Sequence, residues 1–331
     1  MNGHAPHFEV EDFADPAAAL ARVHEIYALA VEHLRRGLQH YVDGADIGRH
    51  VRACYPLLRV RTDTVARADS RLSYGFVAGP GVFETTLTRP DLFADYYLEQ
   101  FRLLVQNHGV ALEVGSSAQP IPVHFALPEH DYLEGHLGPA RRRLLRDHFD
   151  LPDLGAMDAG IANGTFEPGP GEPHPLALFT APRVDYSLHR LRHYTGTRPA
   201  HFQNFVLFTN YQFYIDEFIA LGEREMARPD SGYDSFVQPG NLITRRAGLP
   251  PQPGDARGVA PPRLPQMPAY HLTRPDRGGI SFVNIGVGPA NAKTITDHIA
   301  VLRPHAWIMV GHCAGLRGSQ QLGDYVLAHG Y

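Results

Sequence analysis

The chain is poor in cysteine, holds a single tryptophan and has no surplus of positive charge, and each shortage narrows what it does. Cys54 and Cys313 are the only thiols in 331 residues. That is too few for a disulfide framework, and a reducing, cytoplasmic location is expected. The net charge of −5 argues against general affinity for nucleic acid. The main basic run, Arg141-Arg142-Arg143, lies among Leu144, Leu145, Asp147 and Asp150 and reads as the solvated face of a helix. No stretch of about 18 apolar residues is present, so no membrane span is expected. The acidic start of the chain lacks the apolar core of a signal peptide. There is no internal repeat, no Ser nucleophile elbow, no P-loop and no His-Glu-x-x-His zinc motif. With 44% hydrophobic and 20% charged residues, the chain has the composition of an ordinary globular protein and length enough for two domains.

The first half reads as a compact α+β domain over residues 1–150. Asp15-Pro16 is a good helix start, and Leu20, Val23, Tyr27, Val31, Leu34, Leu38 and Tyr41 recur at helical spacing up to Gly44. Strands are expected at Leu57–Val60, Leu72–Val77 and Val82–Leu87, the last two separated by a Gly-Pro-Gly turn. A second helix runs from Pro90 to Gly109, and further strands are expected at Val110–Val114 and Ile121–Phe125. Residues 151–181 are rich in Gly and Pro and read as a long connection. A helix over Arg183–Thr197, capped by Gly196, gathers Arg190, Arg192, His193 and Tyr194. His189 and His193 have the i, i+4 spacing of a metal pair, but no third ligand accompanies them and no metal is expected. Phe205–Phe208 is a strand, followed by a helix with Tyr214, Phe218 and Leu221 on one side. Residues 228–268, dense in Pro and Gly, read as an irregular excursion or flap.

Chemistry is expected after residue 279. Ile280, Phe282, Val283 and Ile285 form an apolar run of the kind buried in a parallel sheet. Gly286-Val287-Gly288 then turns tightly, and Pro289 opens a helix with Ile295, Ile299 and Leu302 on one face. Trp307–Val310 makes a second buried strand ending at Gly311-His312-Cys313-Ala314-Gly315. The unit is βαβ, with both turns at one sheet edge, where open α/β sheets bind ligands. It is not a dinucleotide fingerprint: Asn291 replaces the third glycine, and Gly311-His312 stands where an acid belongs. What remains is a helix N-terminus suited to an anion, with Asn291 and Lys293 as added donors. His312 and Asp324 fall at strand ends, and Cys313 reads as a small buried filler rather than a nucleophile. These features point to binding of an anionic small molecule, with chemistry carried by positioning and electrostatics. Roughly three strands and one helix follow residue 279, and the chain stops within the strand-like run Asp324–Ala328. The α/β domain over 182–331 therefore reads as incomplete, to be finished by further chain or by another chain.

Several long blocks carry a family resemblance. They are SLHRLRHYTGT (Ser187–Thr197), FVLFTNY (Phe205–Tyr211), VNIGVGPANAKTI (Val283–Ile295), VLRP (Val301–Pro304), GHCAGLR (Gly311–Arg317) and GDYVLAH (Gly323–His329), with TLTRPDLF (Thr86–Phe93) in the first half. In these the sequence resembles the AMP nucleosidases. The resemblance implies a regulatory α+β domain followed by a nucleoside-phosphorylase-like α/β domain. It implies hydrolysis of AMP to adenine and ribose 5-phosphate in purine salvage, by a cytoplasmic hexamer activated by ATP (as its Mg complex) and inhibited by phosphate, with no cofactor. Carried onto this chain, it places Gly286, Gly288, Asn291, His312 and Gly315 around sugar and phosphate, and suggests Arg190, Arg192 and His193 for 5′-phosphate or effector contacts. It also implies that the acid protonating the base lies beyond Tyr331, so that this chain alone is silent or very weak. A second reading is a non-catalytic nucleotide-binding regulatory module.

Overall fold

The computed structural model describes residues 6–45, 47, 50–63, 75–77, 79–127, 137–255 and 258–327. The chain divides into two compact units, Met1–His189 and Arg190–Tyr331.

The first unit is built on helix α1 (Pro16–Val42) and a five-stranded sheet. Helix α1 starts where it does because the Asp15 carboxylate accepts the N–H groups of Ala17 and Ala18, with proline at the first helical position. The sheet order is β1 (Glu11–Phe13), β4 (Leu112–Pro120), β2 (Cys54–Thr62), β3 (Gly81–Thr86) and β5 (His174–Pro175). All neighbours are antiparallel except β3 and β5. Helix α1 packs on β4, β2 and helix α2 (Pro90–His108), which ends at Gly109 with φ 63°. Tyr27, Leu34, Tyr41, Tyr55, Ile121 and Phe149 belong to one core cluster.

The expected strand Ile121–Phe125 is corrected: β4 ends at Pro120 and a short helix α3 (Val123–Ala126) follows. Pro120 and Pro122 have no N–H for a ladder, and Pro122, at φ −58°, is already set for a helix entry. Of the strand expected at Leu72–Val77, residues 72–74 lie outside the described residues, and residues 75–77 form no strand. The basic run falls on helix α4 (Pro139–His148), whose Leu145 is buried. The 151–181 connection lies within the first unit and contributes a 3-10 turn at Gly155–Met157 as well as β5.

Helix α5 (Ala181–Thr195) crosses the boundary and stops at Gly196, φ 69°. The second unit then runs β6 (Phe205–Thr209), α6 (Gln212–Ala227), β7 (Ser235–Gln238), β8 (Leu242–Arg245), β9 (Ala269–Thr273), β10 (Ile280–Asn284), α7 (Pro289–Ile299) and β11 (Ala306–Met309). Its sheet order is β11-β6-β10-β9-β7-β8. The first three strands are parallel, and the rest join antiparallel. The excursion expected over 228–268 is thus corrected: it supplies the hairpin β7–β8, turned by Gly240 (φ 85°) and Asn241 (φ 57°). Strand β9 follows it and completes a six-stranded sheet; after residue 279 the described residues form two strands, β10 and β11, where about three were expected.

Side chains alternate across this sheet as the pleat requires. Phe282, Tyr270, Leu272 and Phe236 meet Ile215, Phe218 and Met226 of α6. Gly222 permits the approach, since a Cβ there would lie 2.7 Å from the Phe236 ring. On the opposite face, Ser281 and His271 meet Thr197, just past α5.

The second strand of the βαβ unit is not buried as expected. Trp307, Ile308 and Met309 are 46%, 56% and 50% exposed, because β11 pairs with β6 at the sheet's edge. Residues 324–327 are irregular rather than a strand, and Ala328 lies outside the described residues. No helix of the described residues is long and apolar enough to cross a membrane.

Candidate functional site

Strands β11, β6 and β10 run parallel, so their carboxyl ends lie at one edge of the sheet. Three turns open there, after Thr209, Asn284 and Met309. Strand β6 leads into α6, while β10 returns through α7 to β11 on the far side of β6. Ligands of α/β sheets bind beyond strand ends at such a place.

The glycine turn is held from within. Gly286 (φ 65°) donates its N–H to Asn284 Oδ1 at 3.0 Å, and Asn284 Nδ2 donates to Gln212 Oε1 at 3.0 Å. The Gly286 N–H is therefore used to shape the turn. The donors left for an anion belong to the first turn of α7, whose N-cap Gly288 (φ 112°) has no side chain to cap it. Asn291 stays beside the turn: its Nδ2 faces Val287 O at 3.4 Å, and its Oδ1 faces Gln266 Nε2 at 3.5 Å. Lys293, expected as a further donor, pairs instead with Asp297 at 2.6 Å, one helical turn on.

The turn after β11 carries His312. Its Nε2 lies 3.1 Å from the Tyr214 hydroxyl, and its ring stacks on Phe213 at 5.3 Å and 14°. Tyr211 meets it edge-on at 4.9 Å. Sequence reasoning missed this aromatic group, although a signal was present: Tyr211, Phe213 and Tyr214 crowd immediately after the end of β6. Gly315 is three residues further, beside Gln320. Cys313 is exposed, not a buried filler, because the chain has left the sheet there. Asp324 accepts the backbone N–H of Gln321 at 2.9 Å, in a local turn.

Arg190, Arg192 and His193 lie on the last turns of α5. The Arg190 guanidinium sits 4.5 Å over the Tyr194 ring and also donates to its hydroxyl. His193 touches the same ring, which stacks on His298 at 6.0 Å. His298 is in the last turn of α7, about 13 Å along the axis from its start. Tyr194, the ring that Arg190 and His193 meet, thus lies at the far end of α7 from the glycine turn. His189 packs on Phe125, with ring centroids 5.0 Å apart.

Behind the turns runs a directed chain of hydrogen bonds. Gln203 N–H donates to Ser281 Oγ at 2.8 Å, leaving the Ser281 hydroxyl proton for His271 Nδ1 at 2.7 Å. His271 Nε2–H then donates to Thr197 at 2.9 Å, Thr197 to Thr195 at 3.1 Å, and Thr195 to Leu191 O at 2.7 Å. Burial holds the His271 imidazole neutral, well below the ordinary histidine range. In the first unit, buried Asp185 accepts the Tyr55 hydroxyl at 2.7 Å and that of Thr88 at 2.9 Å. Burial lifts its carboxyl to about 7 against the pull of those two bonds. The same unit has an open cavity of about 460 Å³, walled by Ile161, Phe166 and Leu178 and lined by Glu84, Asp158 and Glu172, with no basic side chain. It is unsuited to a phosphate.

Residues 18–173 match the family described as "Bacterial AMP nucleoside phosphorylase N-terminus". The chain is 41% identical over 323 residues to the AMP nucleosidase of Escherichia coli, in two strains. That alignment covers 96% of this chain and 65% of the relatives, so the chain spans about two thirds of their length. A crystal structure of AMP nucleosidase from Bacteroides thetaiotaomicron overlaps 43% of this chain and 45% of its own, at 21% identity. Its TM-score is 0.28, too low to support an argument. The resemblance to the AMP nucleosidases extends over nearly the whole of this chain.

Proposed function

We propose that the chain acts in the hydrolysis of AMP to adenine and ribose 5-phosphate, in purine nucleotide salvage. One observation carries this: the chain is 41% identical to AMP nucleosidase over 323 residues, a span that takes in turns at the carboxyl ends of three parallel strands. The first N–H groups of α7 and Asn291 hold the phosphate end of the nucleotide. Gly286 and Gly288 let the sugar come close to the backbone, and His312 and Gly315 close the opposite side. Cleavage requires stabilisation of a cation-like sugar and protonation of the departing base. In this proposal the turns supply position and charge, with ATP and phosphate as effectors of a cytoplasmic hexamer and Arg190, Arg192 and His193 as contacts for an anionic effector.

The test is adenine release from AMP, with AMP binding measured calorimetrically on the same protein and its mass by light scattering. Adenine and ribose 5-phosphate in equal amounts support the glycosidase. Binding without release fits a chain that lacks the base-protonating acid as well as a regulatory module, and rules out turnover by this chain alone. Absence of binding refutes both.

A further inference from the structure

We propose that Phe213 is the platform on which the purine ring of the bound nucleotide lies, and so the residue that distinguishes a purine nucleotide from a bare sugar phosphate. This rests on the nucleotide reading of the site and deepens it.

Four rings, Tyr211, Phe213, Tyr214 and His312, converge at the ends of β6 and β11. Phe213 stands in the first turn of α6 with 46% of its surface exposed. His312 and Tyr214, the latter 4.1 Å away, cover part of the ring, and the exposed remainder is apolar surface that a flat heterocycle covers with gain. His312 lies nearly parallel to the ring, at 14° between planes, so a base stacking on the exposed part of Phe213 would extend an existing stack. The Tyr214 hydroxyl pins the imidazole and Tyr211 closes its edge, so the rings form a wall rather than a loose cluster.

The wall is also in the right place. Neighbouring strands lie about 4.8 Å apart. The ring wall above β6 and β11 therefore stands about 5–10 Å across the sheet from the α7 N-terminus above β10, the span over which a ribose separates phosphate from base. The two halves are mechanically one, because Gln212, between Tyr211 and Phe213, bonds Asn284, which shapes the glycine turn. A nucleotide anchored by its phosphate at the turn thus presents its base to Phe213.

The experiment compares dissociation constants for AMP and for ribose 5-phosphate in the unsubstituted chain, in Phe213→Leu and in Phe213→Tyr. Loss of one base–aromatic stack weakens AMP binding by about fivefold to a hundredfold in Phe213→Leu. Ribose 5-phosphate is expected to change by less than about twofold, and Phe213→Tyr, which keeps the ring, to restore AMP binding. The fluorescence of 2-aminopurine riboside 5′-monophosphate is quenched on binding to the unsubstituted chain and not on binding to Phe213→Leu. Unchanged AMP affinity in Phe213→Leu, or an equal loss for both ligands, overturns the assignment while leaving the nucleotide reading intact. If neither ligand binds the unsubstituted chain, the nucleotide reading falls, and this assignment with it.

Discussion

Replacing Asp185 by Asn should flatten the pH dependence of stability in the first unit. The carboxyl is fully enclosed, and burial raises it from 3.8 to about 7. Between those values the unfolded chain has released a proton that the folded chain keeps. The stabilisation linked to this proton is therefore complete below the unfolded value and is lost as pH rises towards the folded one. A rise of about three pH units corresponds to about 4 kcal/mol at 1.36 kcal/mol per unit. That is a large share of the 5–15 kcal/mol, roughly, that holds a domain together. Asn resembles the protonated acid and cannot titrate. Between pH 4 and 7.5 the unsubstituted unit should lose about 4 kcal/mol that Asp185→Asn does not lose, on top of whatever the other groups contribute to both. The assay is urea unfolding at each pH, followed by pulse-labelled hydrogen exchange on peptides spanning β2 and α2. Trp307 is the single tryptophan and lies in the second unit, so its fluorescence follows that unit separately. Parallel pH profiles for the β2 and α2 peptides in both proteins would refute the reasoning.

Three further outcomes are expected. Thr197→Val strands the buried Nε2–H of His271 and should cost about 1–3 kcal/mol in Trp307-monitored unfolding; no measurable cost would sink the directed chain of hydrogen bonds. The same imidazole refuses a proton that the unfolded chain accepts, so the second unit should lose stability as pH falls below the ordinary histidine value. Gly222→Ala drives a Cβ to 2.7 Å from the Phe236 ring and should cost about 1–3 kcal/mol, seen as a lower urea midpoint. Asn284→Ala releases the Gly286 N–H and the tie to Gln212; it should weaken ribose 5-phosphate binding while costing only about 0.5–1.5 kcal/mol of stability, and unchanged binding would count against the turn.

Much of the fold was legible because it is written locally. Asp15-Pro16, Pro90 with Gly109, and Gly286 to Pro289 are start and stop signals whose physics needs no partner, and they fall at helix ends or turns as expected. Strands β7, β8 and β9 were not legible, because each is four or five residues long and is stabilised by neighbours distant in sequence. Apolar content alone suggested that Trp307–Val310 was buried, yet burial depends on what covers the strand, which its own residues do not record. The glycine turn was found by its motif. The ring wall was not, because stacking of Phe213 on His312 joins residues 99 positions apart (312 − 213) through the pairing of β6 with β11. The trio Arg190, Arg192 and His193 was grouped correctly on its helix, but the stack of Tyr194 on His298 sets it at the other end of α7.

The change of direction at β10 has a consequence for how the site can vary. Strand β9 runs opposite to β10, so its first residue, Ala269, lies beside Val283, next to the glycine turn. The proline-rich residues before it, 258–268, enter the sheet where the parallel strands leave it, and they bring Gln266 to Asn291. One flank of the crevice is thus lined by incoming chain with no sheet register to keep. Insertions or deletions there would reshape that flank while every strand pairing stayed in place, which makes it the part of the site that can diversify most freely.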